Sequence, residues 1–243
     1  MEKVGYKRIW GPLLISMLLS APVSSQESTL TPFSQMQSLN DGWEPLEFPK
    51  IDQLSRYELT TEYGQQVVRA TTDGGASGLI ARVRLEPTDS LILQWCWKVS
   101  NVFENGDARE KSGDDYPARI YVAFEFQPEK AGFFERAKRK TVEVLFGESL
   151  PGNALNYIWA NTLPKGEIVP NPYTEKTMMI AVNSGSEQVG EWVTVERDIM
   201  ADYREAFGEE PPPVVGIAIM SDSDNTGEKA TAWYGDILLN PDS

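Results

Sequence analysis

Apolar and polar residues alternate along most of this chain with the two-residue period of β-strands. Segment 119–126 shows it clearly, because Ile120, Val122, Phe124 and Phe126 share one face of an extended chain. Segment 91–99 is almost wholly apolar and predicts a central strand covered on both faces. About ten strands are predicted, in segments 43–48, 57–62, 66–70, 79–85, 91–99, 119–126, 177–182, 191–195, 214–220 and 231–239.

Two segments have helical spacing instead. Phe133 to Phe146 carries a cluster of basic residues at 136–140, which predicts a surface helix whose charges face water; an anion-binding patch is the alternative. Asp198 to Phe207 predicts a second helix, with Asp198 as its N-cap and Gly208 as its stop. Many strands with few helices predict a mostly β fold, a jelly-roll-like two-sheet β-sandwich with two short peripheral helices.

The N-terminal segment has the features of a secretory signal peptide. Lys3, Lys7 and Arg8 form a basic start, residues 9–19 are mainly apolar, and residues 23–25 are small. The apolar run is shorter than the roughly 20 residues of a membrane helix, and no later stretch is long enough to span a bilayer. We therefore predict a signal peptide over residues 1–25; an N-terminal anchor helix is the alternative.

The remaining chain is predicted to be one acidic domain. The segment 1–25 carries a net charge of +2, so its removal changes the net charge from −14 to −16 over 218 residues. Such a charge disfavours nucleic acid and anionic membranes as partners. Residues 26–40 are predicted to be a polar, loose leader, and residues 41–243 a single β-sandwich domain. Cys96 has no disulfide partner within the chain, and its apolar surroundings predict a buried thiol. An exported chain without disulfides is typical of the bacterial periplasm or cell exterior.

Several blocks of the chain together resemble one bacterial family. They are the segments Lys111 to Val122, Ala154 to Asn161, Asn171 to Tyr173, Asp222 to Gly227 and Trp233 to Ile237. In this order they resemble the family called domain of unknown function 3047, over about residues 43 to 239. The resemblance implies an exported bacterial protein and supplies no catalytic residues. The family is in turn similar in fold to carbohydrate-binding jelly rolls, an analogy that concerns architecture.

The composition removes several kinds of catalysis. The chain has no histidine, so Ser-His or Cys-His nucleophiles and histidine-ligated zinc are excluded. Carboxylate chemistry remains, with Asp114, Asp115 and Glu125 on or near one strand. A glycosidase needs two carboxyls facing each other across the scissile bond, roughly 5–10 Å apart. A glycan-cleaving hydrolase is therefore kept as an alternative function, and a non-catalytic protein is favoured.

An acidic loop near the C-terminus is a candidate for structural calcium. Asp222, Asp224 and Asn225 offer oxygen ligands at short spacing, and Asp236 follows on the next strand. Calcium takes six to eight oxygen ligands, but the pattern is not an EF-hand, because Trp233 stands at the twelfth position. The alternative is an Asx-turn, in which these side chains bond nearby backbone N–H groups and close a hairpin.

Aromatic and polar residues that share strand faces predict a ligand surface. Glycan recognition combines aromatic faces with planar polar groups that fix hydrogen-bond geometry. The candidate ligand-binding residues are Trp97, Asp114, Asp115, Arg119, Tyr121, Tyr157, Trp159 and Asn161. The alternative is structural, since sandwiches bury tryptophan between their sheets and Arg119 can pair with Asp114 or Asp115. The predicted function is an exported envelope protein that binds a polar ligand such as a glycan; a subunit of an envelope assembly, with a protein partner, is a further alternative.

Overall fold

In the described part of the computed structural model, residues 30–48, 51–132 and 152–240, β-strands are the main secondary structure. The predicted signal peptide at 1–25 and the predicted helix at 133–146 lie outside it. Within it the strands are β1 (Glu44–Leu46), β2 (Arg56–Glu62), β3 (Gln65–Asp73), β4 (Ala76–Leu85), β5 (Ile92–Val99), β6 (Arg119–Phe124), β7 (Ala154–Ala160), β8 (Ile168–Asn171), β9 (Thr174–Ser184), β10 (Val193–Asp198), β11 (Val214–Asp222) and β12 (Lys229–Leu239).

The strands form two sheets. The seven-stranded sheet has the order β1-β4-β11-β6-β7-β9-β8, and the five-stranded sheet has the order β10-β5-β12-β3-β2. Neighbouring strands are antiparallel except β7 and β9, which are parallel. One core cluster draws buried residues from both sheets, such as Ile120 and Ile219 from the larger and Val68 and Leu93 from the smaller. The predicted two-sheet β-sandwich is confirmed.

Aromatic rings fill the space between the sheets. Trp95 lies 5.3 Å from Tyr157 between ring centroids, and Trp97 lies 6.1 Å from Trp159, so rings of β5 contact rings of β7 across the core. Tyr234 of β12 lies 6.4 Å from Trp97. All five side chains are at most 1% exposed. Large rings remove much apolar surface from water, which is the main force that holds two sheets together.

The apolar composition of β5 predicted a strand covered on both faces, and this prediction was wrong. Its residues alternate between intermediate and buried along Ile92–Val99. The buried residues are Leu93, Trp95, Trp97 and Val99, whereas Cys96 and Lys98 belong to the outer face. Cys96 is accordingly only partly buried, and burial raises the pKa of its thiol, with the carboxylate of Asp236 adding to the effect.

The second predicted helix is present, as α1 (Ile199–Phe207). The Asp198 side chain caps it by accepting hydrogen bonds from the N–H groups of Met200 (3.0 Å) and Ala201 (3.2 Å). Gly208 ends the helix with φ of 69°, and its N–H donates to the carbonyl of Arg204. No helix in the described ranges is long and apolar enough to cross a membrane.

The segment predicted to be a loose leader is partly built into the fold. Leu30, Phe33 and Met36 are buried in the core cluster, and Phe33–Gln35 forms a 3-10 turn. The amide of Gln66 in β3 donates hydrogen bonds to the carbonyls of Phe33 and Met36. The prediction of a loose segment was wrong for residues 30–40, because three well-spaced apolar side chains among the polar residues are enough to anchor it.

Candidate functional site

A buried polar cluster lies on the outer face of the seven-stranded sheet. Arg119 begins β6 and Asp222 ends β11, and the register that pairs Arg119 with Met220 brings the two side chains together. An Nη atom of Arg119 donates to Oδ2 of Asp222, and the other Nη lies 3.7 Å from Oδ1 of Asp114. These three side chains are at most 7% exposed. The arginine therefore lies between two buried carboxylates.

Two tyrosine rings enclose the arginine. The Cζ atom of Arg119 is 5.0 Å from the ring centroid of Tyr116 and 5.5 Å from that of Tyr121. Burial alone would lower the pKa of Arg119, but the Asp222 carboxylate reverses the direction and the pKa is raised. Burial raises the pKa of Asp222 well above its ordinary value, although Arg119 opposes this. The cluster thus holds charges that have little contact with water.

A small second apolar core holds in place the segment around Tyr116, which covers the polar cluster. It lies outside the sheet and joins loop residues to the outer faces of β7 and β9. Its buried members are Ala108, Tyr116, Ile158, Ala160, Leu163, Met179 and Ala181. Because Tyr116 belongs to this small core and also stacks on Arg119, the apolar packing fixes the lid of the polar cluster.

Asp115 holds the acidic loop between β11 and β12. Its carboxylate accepts hydrogen bonds from the backbone N–H of Asn225 (3.0 Å), the Asn225 amide (2.9 Å) and the N–H of Thr226 (2.6 Å). In the predicted Asx-turn, the loop's own side chains would accept hydrogen bonds from its backbone N–H groups. These loop N–H groups instead bond to a carboxylate about 110 residues earlier in the chain.

A polar rim continues from the cluster to the surface. Asp114 accepts a hydrogen bond of 2.7 Å from the amide of Asn171. The hydroxyl of Tyr173 donates to Oδ1 of Asn225 (2.8 Å), and its ring is 55% exposed with the Lys111 ammonium 5.3 Å above it. The structure therefore brings the predicted ligand residues Asp114, Asp115, Arg119 and Tyr121 together with the predicted metal residues Asp222, Asp224 and Asn225, which the sequence had suggested as separate sites.

Two of the closely spaced carboxylates, Asp115 and Asp222, are too buried to act as a pair on a sugar chain. Asp115, Asp222 and Asp224 each offer a carboxylate oxygen, and these atoms all lie within 4.8 Å of one another. Paired catalytic carboxyls must both contact the bond to be cleaved. Asp115 and Asp222 are 0% exposed, so a sugar ring cannot lie between them.

Three predicted ligand residues lie in the core instead. Trp97, Tyr157 and Trp159 are 0% exposed. The Trp97 indole donates to Oδ1 of Asn183 (2.9 Å), and the Tyr157 hydroxyl donates to Asp202 (2.7 Å). Their polar atoms are satisfied inside the protein and their rings pack between the sheets. Their predicted direct contact with a ligand is corrected to a structural role.

The other two predicted residues also have local partners. Asn161 accepts a hydrogen bond of 2.7 Å from the N–H of Phe103, and a side chain at Gly106 would overlap its amide, so Asn161 anchors the loop that follows β5. Asp236 accepts 2.8 and 2.7 Å bonds from the N–H and hydroxyl of Ser34. The structure places Asp236 at the N-terminal 3-10 turn and not with Asp222.

An aromatic patch on the outer face of the five-stranded sheet was not predicted. It consists of Tyr63, Trp192 and Trp233, whose ring centroids lie 5.9, 5.4 and 4.3 Å from the ammonium of Lys98. Lys98 also forms a 2.6 Å ion pair with Glu62, and only 11% of its side chain is exposed. Both tryptophans are partly exposed. The aromatic patch therefore presents rings to solvent around a fixed ammonium.

Tyr63 is held in an unfavourable backbone conformation. It occupies the two-residue turn between β2 and β3 with φ of 51°, followed by Gly64 with φ of 85°. Such turns favour Asn-Gly, because a left-handed conformation costs other L-residues roughly 1–2 kcal/mol. The Tyr63 side chain is 92% exposed, so burial does not offset this cost. Backbone strain that packing does not explain points to a functional role.

The sequence contained part of the signal for the aromatic patch. Alternation in β5 places Lys98 on the face of the strand opposite to that of Trp97. The register pairs Trp233 of β12 with Lys98. Trp192 lies just before β10, the neighbour of β5 on its other side. Only the strand order β10-β5-β12 shows that these residues meet.

The chain resembles several solved structures at low identity. The Family 11 carbohydrate-binding module from Clostridium thermocellum, in complex with a β-1,3-1,4-mixed-linked tetrasaccharide, is 10% identical, with 87% of this chain and 93% of that chain covered and a TM-score of 0.41. The Emp47p carbohydrate recognition domain is 11% identical, with 88% and 95% covered and a TM-score of 0.41. The enzymatically active domain of bacteriophage CBA120 tailspike protein 4 is 8% identical, with 82% of this chain covered and a TM-score of 0.39, and this chain spans 19% of its length. These likenesses support no inference about the ligand.

Sequence comparison gives one match over most of the chain. A family model described as Protein of unknown function (DUF3047) matches residues 41–238. Among curated proteins, none matches the chain.

Proposed function

We propose that this chain, which belongs to the DUF3047 family, is a non-catalytic binding protein that holds a polar ligand such as a glycan on its aromatic patch. The observation that carries the proposal is that one exposed and two partly exposed rings surround one ion-paired ammonium. Sugars have apolar C–H faces that stack on aromatic rings and hydroxyl groups that need polar partners. The aromatic patch supplies both kinds of contact.

Preorganisation supports binding at the aromatic patch. The ion pair with Glu62 and the contact with Trp233 fix Lys98 before any ligand arrives. A flexible lysine would lose side-chain entropy on binding, at roughly 0.5–1.5 kcal/mol for a side chain that becomes immobilised. In this protein the Lys98 side chain is already held in the folded state, so ligand binding does not have to immobilise it. The ammonium and the Glu62 carboxylate can then bond ligand hydroxyls at the edges of the rings.

Intrinsic fluorescence and calorimetry test this function directly. The purified protein is titrated with soluble β-glucan, xylan, galactan and peptidoglycan fragments. We expect a saturable shift in tryptophan emission with at least one glycan, because Trp192 and Trp233 are partly exposed while Trp95, Trp97 and Trp159 are buried. Absence of heat and of emission change with every glycan would reject the glycan as ligand.

A pair of tyrosine variants locates the ligand. Tyr63→Ala removes an exposed ring from the aromatic patch, and Tyr173→Ala removes an exposed ring from the rim of the polar cluster. Stacking energies predict that Tyr63→Ala weakens binding by about tenfold, or roughly 1.4 kcal/mol. Tyr173→Ala is the matched control and should bind as the unaltered protein does. The reverse pattern would move the ligand to the polar cluster.

We also propose that the protein is exported to the periplasm or the cell exterior of a bacterium. The basic start and short apolar run support this. The fold is compatible with it, since cleavage after Ser25 leaves Leu30, Phe33 and Met36 in place in the core. N-terminal sequencing of the protein from the periplasmic fraction should begin near residue 26. A cytoplasmic chain that keeps residues 1–25 would contradict the proposal.

A further inference from the structure

Three carboxylates from two distant segments converge at one point of the polar cluster. Asp115 precedes β6, Asp222 ends β11 and Asp224 lies in the following loop. One oxygen from each lies within 4.8 Å of the others. Asp115 and Asp222 are buried, whereas Asp224 is exposed. An ion could therefore reach the buried oxygens past Asp224.

The cluster has more negative than positive groups. Asp114 adds a fourth carboxylate, and Arg119 is the basic side chain that the described ion pairs place among them. Buried carboxylates that lack a counter-charge are costly, and a bound cation would offset this cost.

An unpartnered buried oxygen distinguishes this cluster from an ordinary group of acidic residues. Asp222 gives Oδ2 to Arg119, but its Oδ1 has no hydrogen-bond partner among the described residues, and the residue is 0% exposed. Buried polar oxygens are nearly always paired. Asp222 is one of the three converging carboxylates, and its two oxygens share one carbon atom, so the unpartnered oxygen lies next to the point where the three carboxylates meet.

Asp115 is held in the cluster by donors from the acidic loop. Three N–H groups bond to its carboxylate, two from Asn225 and one from Thr226. The backbone N–H of Asn225 contacts both oxygens, so these donors fix the carboxylate beside Asp222 and Asp224.

We infer that Asp115, Asp222 and Asp224 together bind one divalent cation of the calcium class. The donors are all oxygens, which calcium and magnesium prefer. Zinc is disfavoured, because the chain has no histidine and Cys96 lies on the other sheet. Three carboxylates supply part of the six to eight oxygens that calcium takes, and water completes the set. The bound ion would join the loop after β11 to the segment before β6.

Calorimetry and thermal unfolding of the EDTA-treated full chain test the inference. Titration with calcium chloride should release heat with one-to-one stoichiometry, and the Tm should rise with calcium concentration, because a ligand that binds only the folded state stabilises it. Asp224→Asn removes the accessible ligand without touching the Arg119 pair. It should weaken calcium binding by more than about tenfold, or roughly 1.4 kcal/mol.

Two variants control for charge and for the choice of ligands. Asp52→Asn makes the same charge change at an exposed position and should keep the calcium response. Asp236→Asn should also keep it, because Asp236 bonds to Ser34 elsewhere. The inference is overturned if calcium, magnesium and manganese chlorides all leave heat and Tm unchanged, or if Asp224→Asn binds calcium like the unaltered protein.

A protonated Asp222 is the outcome that would replace the cation. Asp222→Asn mimics the neutral acid. The inference is wrong, and the cluster holds a proton, if two results are found together. This variant has a higher Tm than the unaltered protein in EDTA, and calcium changes neither the heat nor the Tm of the unaltered protein. Glycan binding by Asp224→Asn should be unchanged, since the aromatic patch lies on the other sheet, so this test and that of the proposed function fail independently.

Discussion

Replacing Arg119 by methionine should strongly destabilise the protein. Methionine keeps the apolar stem but removes the guanidinium that bonds to Asp222 and lies near Asp114. Both carboxylates stay buried, and Asp222 loses its hydrogen-bond partner. Breaking a buried ion pair by removing one member costs about 3–5 kcal/mol. For a chain of this length each kcal/mol lowers Tm by roughly 2–4 °C, so the expected decrease is roughly 6–20 °C.

Urea unfolding of a double-mutant cycle measures the interaction itself. The cycle contains Arg119→Met, Asp222→Leu and the double variant. Arg119→Met leaves Asp222 and Asp114 without their arginine, and Asp222→Leu leaves Arg119 with only the longer contact to Asp114. The double variant leaves only Asp114 without its partner, so it should be more stable than the two separate losses imply by about 0.5–3 kcal/mol. Lys229→Met is the matched control, because Lys229 pairs with Asp73 at the surface, and its loss should be below about 1 kcal/mol.

Additive losses would refute this reasoning. If the double variant loses the sum of the single losses, Arg119 and Asp222 do not stabilise each other. A loss below about 1 kcal/mol for Arg119→Met would mean that water reaches the pair, in contrast with its burial.

Three further variants test local features. Asp198→Ala should cost about 0.5–2 kcal/mol through loss of the helix cap. Burial raises the pKa of Asp198, but hydrogen bonds from Ser90 and from backbone N–H groups outweigh burial and lower the pKa. The cap should therefore contribute fully at neutral pH and lose its contribution as the pH falls through the lowered pKa, which a measurement of Tm against pH will show. Gly106→Ala should cost about 1–3 kcal/mol in urea unfolding, because the methyl group overlaps the Asn161 amide. Tyr63→Asn should raise stability by up to ~1 kcal/mol in the same assay, through relief of the left-handed backbone, and should weaken glycan binding by calorimetry.

Local patterns were sufficient to predict ten of the twelve strands of the described residues and helix α1, whereas β7 and β8 lie outside the predicted segments. Alternation located most strand cores, and Asp198 and Gly208 marked the ends of α1 because capping depends only on nearby backbone groups. Composition misled at β5, where the outward positions hold Ile92 and Cys96 and so resemble a strand covered on both faces. Polar composition likewise concealed the packing of Phe33.

The candidate sites depend on contacts that no local pattern contains. Asp115 bonds to Asn225 across a separation of 110 residues, and the contact exists because β6 and β11 are neighbours in the sheet. The sequence supplied the right residue types for the polar cluster but assigned them to two sites. Period two also predicts that Trp95 and Trp97 share a face, yet it does not say whether that face is the core or the solvent.

The two faces of the sandwich show why burial must be known before an aromatic residue is given a function. Trp97 and Lys98 are neighbours in β5, and one side chain packs against Trp159 in the core while the other is surrounded by the rings of the aromatic patch. Removing Trp97 would reduce binding only by unfolding the protein. Removing the exposed ring of Tyr63 changes the surface and leaves the core intact. A residue can therefore report on function when neither packing nor backbone conformation explains why it is there. Tyr63 is the clearest case, because its backbone is strained and its side chain is exposed.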